Sequence, residues 1–307
     1  LSTMAAPAIQ NALTVDVEDY FHVSAFENSI SPASWDERET RVEANTRRIL
    51  ELFAAYGLKG TFFVLGWVAR RHPTLVREIC AAGHEVACHG MGHQRIHTQT
   101  PDQFRQDVTE AKALLEDIAG VPVMGYRAPS YSITRRTVWA LDILIESGFT
   151  YDSSLFPIIH DLYGFPGTCP HPHQIARDSG NILEFPLSTL RFRLFGRTLA
   201  VPVAGGGYLR LFPGRFIAFA LSRINTREKQ PGVLYFHPWE LDPGQPRIPG
   251  GLKSRFRHYL NLDKTEGRLR GLFEILQFAP MKTVLENCPH LPLVLMGDKP
   301  DAIPYRS

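Results

Sequence analysis

Five short β-type runs are separated by stretches of helical periodicity: ALTV at 12–15, GTFFVLG at 60–66, HEVAC at 84–88, GFTYD at 148–152 and GVLYF at 232–236. Such alternation leaves few folds open, and the one it favours is a set of βα units around a mostly parallel sheet or barrel. The helical stretches carry their own punctuation. Arg41 to Tyr56 places Ile49, Leu50, Phe53 and Ala54 on one face and stops at Gly57. Thr100, Pro101 and Gln103 supply an N-cap, a first-turn proline and a capping-box partner for a helix running to Gly120. Ile133 to Gly148 repeats the arrangement, with Val138, Leu141, Leu144 and Ile145 lining one face.

Polar side chains stand where these runs end. Asp16, His89, Arg127, Asp152 and His237 each lie at or just beyond the C-terminal end of an expected strand. In βα architectures those ends converge on one rim, so residues far apart in sequence can share a pocket. Within TVDVEDY, strand alternation sends Thr14, Asp16 and Glu18 one way and Leu13, Val15 and Val17 the other, with Asp19 following where the strand should stop. Crowded carboxylates stay ionised together only beside a compensating cation. Acidic residues after a strand also act as caps, so this motif alone leaves both readings open.

His89 and His93 stand four apart in CHGMGH. They can meet one ion from a helical turn or from a tight loop, and Gly90 and Gly92 make the loop as good a reading as the helix. Two imidazoles with a carboxylate form a divalent metal site that keeps positions for water, the usual construction of a hydrolytic centre. Zinc is the first expectation from the two imidazoles, and cobalt, nickel, manganese or iron suit the same donors.

Composition removes several alternatives. A chain of 307 residues, 44% hydrophobic and 21% charged, has ample core and no signature of disorder. A formal net charge of +2 from 33 basic and 31 acidic residues gives no large field to attract nucleic acid. Cysteines 80, 88, 169 and 288 lack the spacing of a zinc or redox motif. There is no apolar run of about 18 residues, so no stable membrane insertion is expected. LSTMAAPAIQN lacks the basic region and apolar core of an export signal, and the cytoplasm is the default compartment. Leu1, Ser2 and Thr3 ahead of Met4 fit either a scar of tag removal, with Met4 as the natural start, or the trimmed end of a longer precursor.

In order and content, TVDVEDYFHV, GTFFVLG, HEVACHGMGH, GYRAPSYSIT, GFTYDSSLFP and VLYFHPWE resemble the polysaccharide deacetylases with NodB homology, carbohydrate esterase family 4. EFPLST, PVAGGGYLRLFP and FRHYLNL further resemble the subgroup associated with bacterial exopolysaccharide and exosortase (PEP-CTERM) loci. The resemblance implies a distorted (β/α) barrel with a C-terminal extension. The corresponding layout is an N-terminal segment at 1–11, a deacetylase domain at 12–245 with an insertion or lid at 155–215, and an extension at 246–307 packed on the same domain.

The same resemblance implies roles, residue by residue. Asp16 matches the catalytic base, His89 and His93 two metal ligands, and Arg127 the arginine that keeps the base ionised and oriented. The acidic ligand is Glu18 by strand parity or Asp19 by its shorter reach at a strand end. His237 matches the general acid that protonates the leaving amine, with Asp152 holding it in its productive tautomer. Ser130 stands where the family has an oxyanion-hole tyrosine, with Tyr131 supplying a ring one position later and Trp239 a further contact to substrate. Gly90 replaces a serine, so one expected loop hydrogen bond is missing.

The expected activity is metal-dependent removal of N-acetyl groups from the sugars of a bacterial exopolysaccharide or its precursor, with an N-acetylated glycan as partner. The rival enzyme on this fold is a cyclic amidase of the allantoinase type. The rival of another class is a glycan-binding protein without turnover, against which intact Asp16, Arg127 and His237 argue.

Overall fold

The computed structural model describes residues 9–297 apart from 28, 161–162, 195–196 and 289. Leu1, Ser2 and Thr3 at the N-terminus, and 298–307 of the C-terminal extension, lie outside the described residues.

The strands are β1 (Gln10–Val17), β2 (Thr61–Val64), β3 (Glu85–Cys88), β4 (Gly125–Tyr126), β5 (Tyr151–Asp152), β6 (His173–Arg177), β7 (Gly180–Glu184), β8 (Thr189–Leu194), β9 (Arg197–Pro202), β10 (Val233–Phe236), β11 (Gln277–Ala279) and β12 (Leu293–Leu295). The main sheet runs β10-β1-β2-β3-β4-β5-β7-β6-β12, and β11 pairs with the start of β1. Its ladders are parallel except β6 with β7. This is the distorted barrel of the NodB type that the sequence implied.

Both faces of β1 are covered, which is why its apolar run is almost continuous. Leu13, Val15 and Val17 join the helix layer with Ile49, Leu52 and Phe53. Ala12 faces the interior with Phe63, Ala87, Tyr151 and Tyr235. Thr14 and Asp16 share that inward parity and are the polar exceptions on a buried face.

The helices follow their punctuation with two differences. Helix Val42–Ala55 buries Leu52 rather than Ala54. Helix Pro101–Ala119 has the expected capping box, Thr100 N–H to Gln103 Oε1 at 2.8 Å and Gln103 N–H to Thr100 Oγ1 at 3.3 Å, and ends at left-handed Gly120. The third helix is shorter than expected, Trp139–Glu146 rather than 133–148. Thr137 Oγ1 donates to the Ser132 carbonyl oxygen and accepts from Thr134 N–H, and these local bonds hold 132–138 as a turn instead of a helical start.

The 155–215 segment is more regular than its prolines and glycines suggest. It contributes β6 and β7 to the main sheet and forms the separate β8–β9 hairpin. The C-terminal extension supplies β11 beside β1 and β12 at the β6 edge. Among the described residues no helix is long and apolar enough to cross a membrane.

Gly205 and Gly206 explain the GGGY stretch. Gly206 N–H donates to the Tyr235 carbonyl oxygen at 2.9 Å and Tyr235 N–H to that of Ala204 at 2.8 Å, so backbone lies directly against β10 two residues before His237. Gly205 has φ +140°, and a Cβ there would sit 1.8 Å from the Tyr235 oxygen. Gly205→Ala is therefore expected to cost about 2 kcal/mol or more of stability, read as a lower urea midpoint. A midpoint equal to wild type would show that this contact does not constrain β10.

Candidate metal and hydrolytic site

Arg127, just past β4, is completely buried and spends its donors on four acceptors. Nη1 reaches Asp16 Oδ1 at 2.6 Å and Thr14 Oγ1 at 2.8 Å, Nη2 reaches Ser153 Oγ at 2.9 Å, and Nε reaches the Ser153 carbonyl oxygen at 3.2 Å. Its guanidinium lies 4.1 Å from the Phe63 ring centre and 5.8 Å from that of Tyr235. Burial opposes its charge, but Asp16 more than offsets this and raises the arginine's affinity for its proton.

One ligand atom each from Glu18, His89 and His93 falls within 4.8 Å of the others, a spacing suited to one cation. His89 Nδ1 lies 2.8 Å from the Arg127 carbonyl oxygen. A carbonyl only accepts, so Nδ1 carries the hydrogen and Nε2 keeps its lone pair for a metal. Glu18 Oε2 lies 2.6 Å from His93 Nε2, yet this buried oxygen has no aligned hydrogen-bond partner. A buried carboxylate oxygen left without an aligned donor suits a cation. Burial would raise the Glu18 carboxyl, but His93 and His237 outweigh it and hold Glu18 well below the usual carboxylate range. Burial pushes His89 down to about 4, which keeps it neutral as a ligand must be. His93 adopts φ 52° in the loop after β3, so the pair meets from a tight loop and not a helix. Beside His93 a cavity of about 160 Å³ is lined by Phe21, His22, Trp35 and Arg95 among others.

His237 follows β10 directly. Its Nε2 lies 3.6 Å from Glu18 Oε1 and 3.9 Å from Asp16 Oδ2, and its Nδ1 is 2.6 Å from Glu240 Oε1. Burial disfavours the charged ring, but Glu18, Glu240 and Asp16 together raise its pKa to about 9. The arrangement holds a carboxylate, a three-donor cradle and a protonated imidazole within one small volume, which equips it to deprotonate water on one side of a scissile bond and protonate a leaving group on the other.

Comparison with known proteins places these residues in two regions. Residues 33–151, with His89, His93 and Arg127, match the family model described as polysaccharide deacetylase. Residues 153–286, with Glu240 and His237, match a domain of unknown function, DUF3473. A peptidoglycan deacetylase of Helicobacter pylori is 32% identical over 113 residues, 37% of this chain and 38% of that protein. The chain thus spans well under half the length of that curated relative. The fold is shared with a Mycobacterium smegmatis crystal structure named for the polysaccharide deacetylases, at a TM-score of 0.59 and 22% identity over 92% of each chain. It is shared equally with an allantoinase, at 0.56 and 16% over 92% of this chain and 91% of that one. Fold alone therefore does not separate the two chemistries.

In the polysaccharide deacetylase region and its surroundings, several expected residues take other places. Asp19 stands outside the metal cradle: Oδ2 accepts from the N–H groups of Arg41 and Val42 at 2.7 and 2.9 Å, and Oδ1 from Tyr20 N–H at 2.9 Å. It caps the start of helix Val42–Ala55 from across the fold, satisfying donors that a helix leaves open. Burial pushes its carboxyl up to about 6 against those three bonds.

Asp152 does not hold His237. It pairs with Ser154, whose Oγ donates to it at 2.5 Å, and with Glu184. Burial raises both carboxyls of this pair above the ordinary carboxylate range. Trp239 is buried and sandwiched between His237 and His258 at 5.1 and 4.2 Å, with Nε1 donating to Glu18 Oε1 at 3.3 Å. Its faces are taken, so it supports the acid and the cradle instead of stacking on a sugar.

Tyr131 is buried with its hydroxyl 3.4 Å from Asp16 Oδ2, and its N–H is spent on the Ala128 carbonyl oxygen. Ser130 pairs through Oγ with Ser24 Oγ at 2.6 Å, and both Ser130 and Tyr131 hold φ 53°. Beside Gly90, Asp107 Oδ2 accepts from Met91 N–H at 2.9 Å, and a Cβ on Gly90 would lie 2.8 Å from the same oxygen. Thr14, Ser153, Asp107 and Glu240 carry no strand-end signal in the sequence. Of these only Glu240, three residues after His237, follows a recognisable capping pattern.

The two acidic neighbours should thus fail differently. Glu18→Gln is expected to weaken zinc binding by about tenfold or more with folding intact, measured by competition with a chelator. Asp19→Asn should leave zinc affinity unchanged and cost about 1–3 kcal/mol of stability, because an amide has one acceptor oxygen for three donors. Weakened zinc binding in the Asp19 variant alone would reverse the assignment.

Proposed function

We propose that the protein is a metal-dependent N-deacetylase acting on N-acetylated sugars of a bacterial exopolysaccharide or its precursor. The observation that carries this reading is that Asp16 and His237 lie side by side on neighbouring strands, both facing the Glu18–His89–His93 cradle. The family match of 33–151 and the likeness to the Helicobacter pylori peptidoglycan deacetylase support an N-acetylated glycan as substrate. Resemblance of the outer motifs to the exosortase-associated subgroup supports an exopolysaccharide as the glycan. The proposed layout is a deacetylase domain at 12–245 with the extension at 246–307 as part of the same unit.

Glu18, His89 and His93 would hold the divalent cation, zinc by donor type. When bound there, the cation supplies Lewis acidity towards water and the acetyl carbonyl. Asp16 Oδ2 takes the proton of the attacking water, while Arg127 occupies Oδ1 and fixes the orientation of the carboxylate. His237 Nε2 gives its proton to the amide nitrogen as the C–N bond breaks. Water adds across that bond, leaving acetate and a free amine on the sugar.

The test is acetate release from N-acetylglucosamine oligomers by zinc-loaded protein, with metal analysis of the same sample. Acetate formation that a chelator abolishes and zinc restores is expected. Asp16→Asn should reduce turnover by about 100-fold or more while retaining zinc. Metal-loaded protein that leaves every N-acetylated glycan intact, or that opens a cyclic amide instead, defeats the reading.

A further inference from the structure

Deacetylase chemistry at His237 needs a ring held by one nitrogen and free at the other, and the strand-end aspartate that the sequence offered for this, Asp152, is engaged elsewhere. The structure supplies a different and more elaborate support. Glu240 is completely buried, and its Oε1 accepts from the His237 backbone N–H at 3.1 Å as well as facing Nδ1 at 2.6 Å. Its other oxygen, Oε2, lies 2.6 Å from Arg210 Nε.

Arg210 is itself buried. Its Nη1 donates to the carbonyl oxygens of His258, Arg257 and Leu260 at 2.7, 2.8 and 3.3 Å, and its guanidinium lies 5.1 Å from the centre of the Trp239 ring. Arg210's own carbonyl oxygen accepts from Asn261 Nδ2 at 2.8 Å and from Arg268 Nη1 at 2.7 Å.

The donor and acceptor inventory leaves one arrangement. An arginine only donates and a carboxylate only accepts, so Glu240 Oε2 is committed to Arg210 and Oε1 must receive a hydrogen from Nδ1. Nε2 is then the nitrogen presented to Asp16 and Glu18, the position from which a proton can reach a leaving amine. The ring cannot turn about its Cβ–Cγ bond without breaking the Glu240 bond, and Trp239 stacked on its face blocks tilting.

We propose that Glu240, clamped by Arg210, is the positioning residue for His237, and that the Arg210 clamp makes the chain at 257–260 a structural part of the proton-donating side of the site. This rests on the reading of His237 as proton donor. It gives a physical task to the region matched only to a domain of unknown function, because His237, Glu240, Arg210 and the three clamped carbonyls all fall within 153–286. The base and two cradle histidines come from outside that region, so neither part has the full proton pathway alone.

Glu240→Gln is the decisive variant. The amide has one oxygen where the carboxylate has two. Arg210 can only be satisfied by that oxygen, which turns the amide NH2 towards His237 Nδ1 and forces that nitrogen to accept. The doubly protonated ring is then disfavoured, because Nδ1 can no longer hold a hydrogen while Nε2 carries the one to be given.

The expected result is a kcat on N-acetylglucosamine oligomers lower by roughly 10–100-fold, with KM and zinc content unchanged. In histidine-labelled protein the Nδ1–H resonance of His237, assigned by its loss in His237→Ala, should disappear while Nε2–H remains, a neutral Nε2–H tautomer in place of the doubly protonated ring. Glu240→Asp keeps the charge for Arg210 but withdraws the oxygen from Nδ1, and should reproduce the kcat loss if the amide variant does not fold. A Glu240→Gln protein with wild-type kcat, or one whose Nδ1–H resonance persists, overturns the proposal. So does a loss in kcat that tracks a matching loss of zinc or of melting temperature. Wild-type protein that releases no acetate but shows the loss of Nδ1–H in Glu240→Gln defeats the functional reading and upholds the positioning.

Discussion

A single buried ion pair, Arg127 with Asp16, organises the rest of the molecule. A guanidinium without solvent contact is tolerable only if each donor is met, and removing one partner of such a pair costs about 3–5 kcal/mol. The barrel meets that demand with polar groups from two strands: Thr14 and Asp16 from β1, and Ser153 after β5. The aromatic rings of Phe63 and Tyr235 fill the remaining surroundings. Arg127 also acts through its backbone, since its carbonyl oxygen fixes the tautomer of His89. One residue therefore sets the orientation of Asp16 with its side chain and of His89 with its main chain.

What the sequence made legible was the half of the site that depends on strand ends. Asp16, His89, Arg127 and His237 stand out because a polar residue terminating an apolar run needs a reason, and parity puts Glu18 on the side they share. Asp19 was ambiguous because its partners, the N–H groups of Arg41 and Val42, belong to a helix start with no motif pointing back to it. Asp152 ends a strand as expected, but Glu184 arrives beside it on β7, and a pairing of carboxyls across two strands is one no local pattern announces. The third helix was drawn too long because apolar periodicity continued through Ile133 and Val138 while the threonine side chains diverted the backbone.

Gly90 shows a different limit. Asp107, from helix Pro101–Ala119, accepts from Met91 N–H and occupies the space a Cβ at Gly90 would need, a pairing that neither segment announces in the sequence.

The register of β1 against β10 pairs Thr14 with Tyr235 and Val15 with Phe236, which carries Asp16 and His237 to the same level on adjacent strands. Their separation is thus set by the repeat of a parallel ladder, not by the conformation of any loop. A single residue gained or lost within either strand would turn Asp16 or His237 to the opposite face of the sheet, so insertion and deletion are closed to these two short segments.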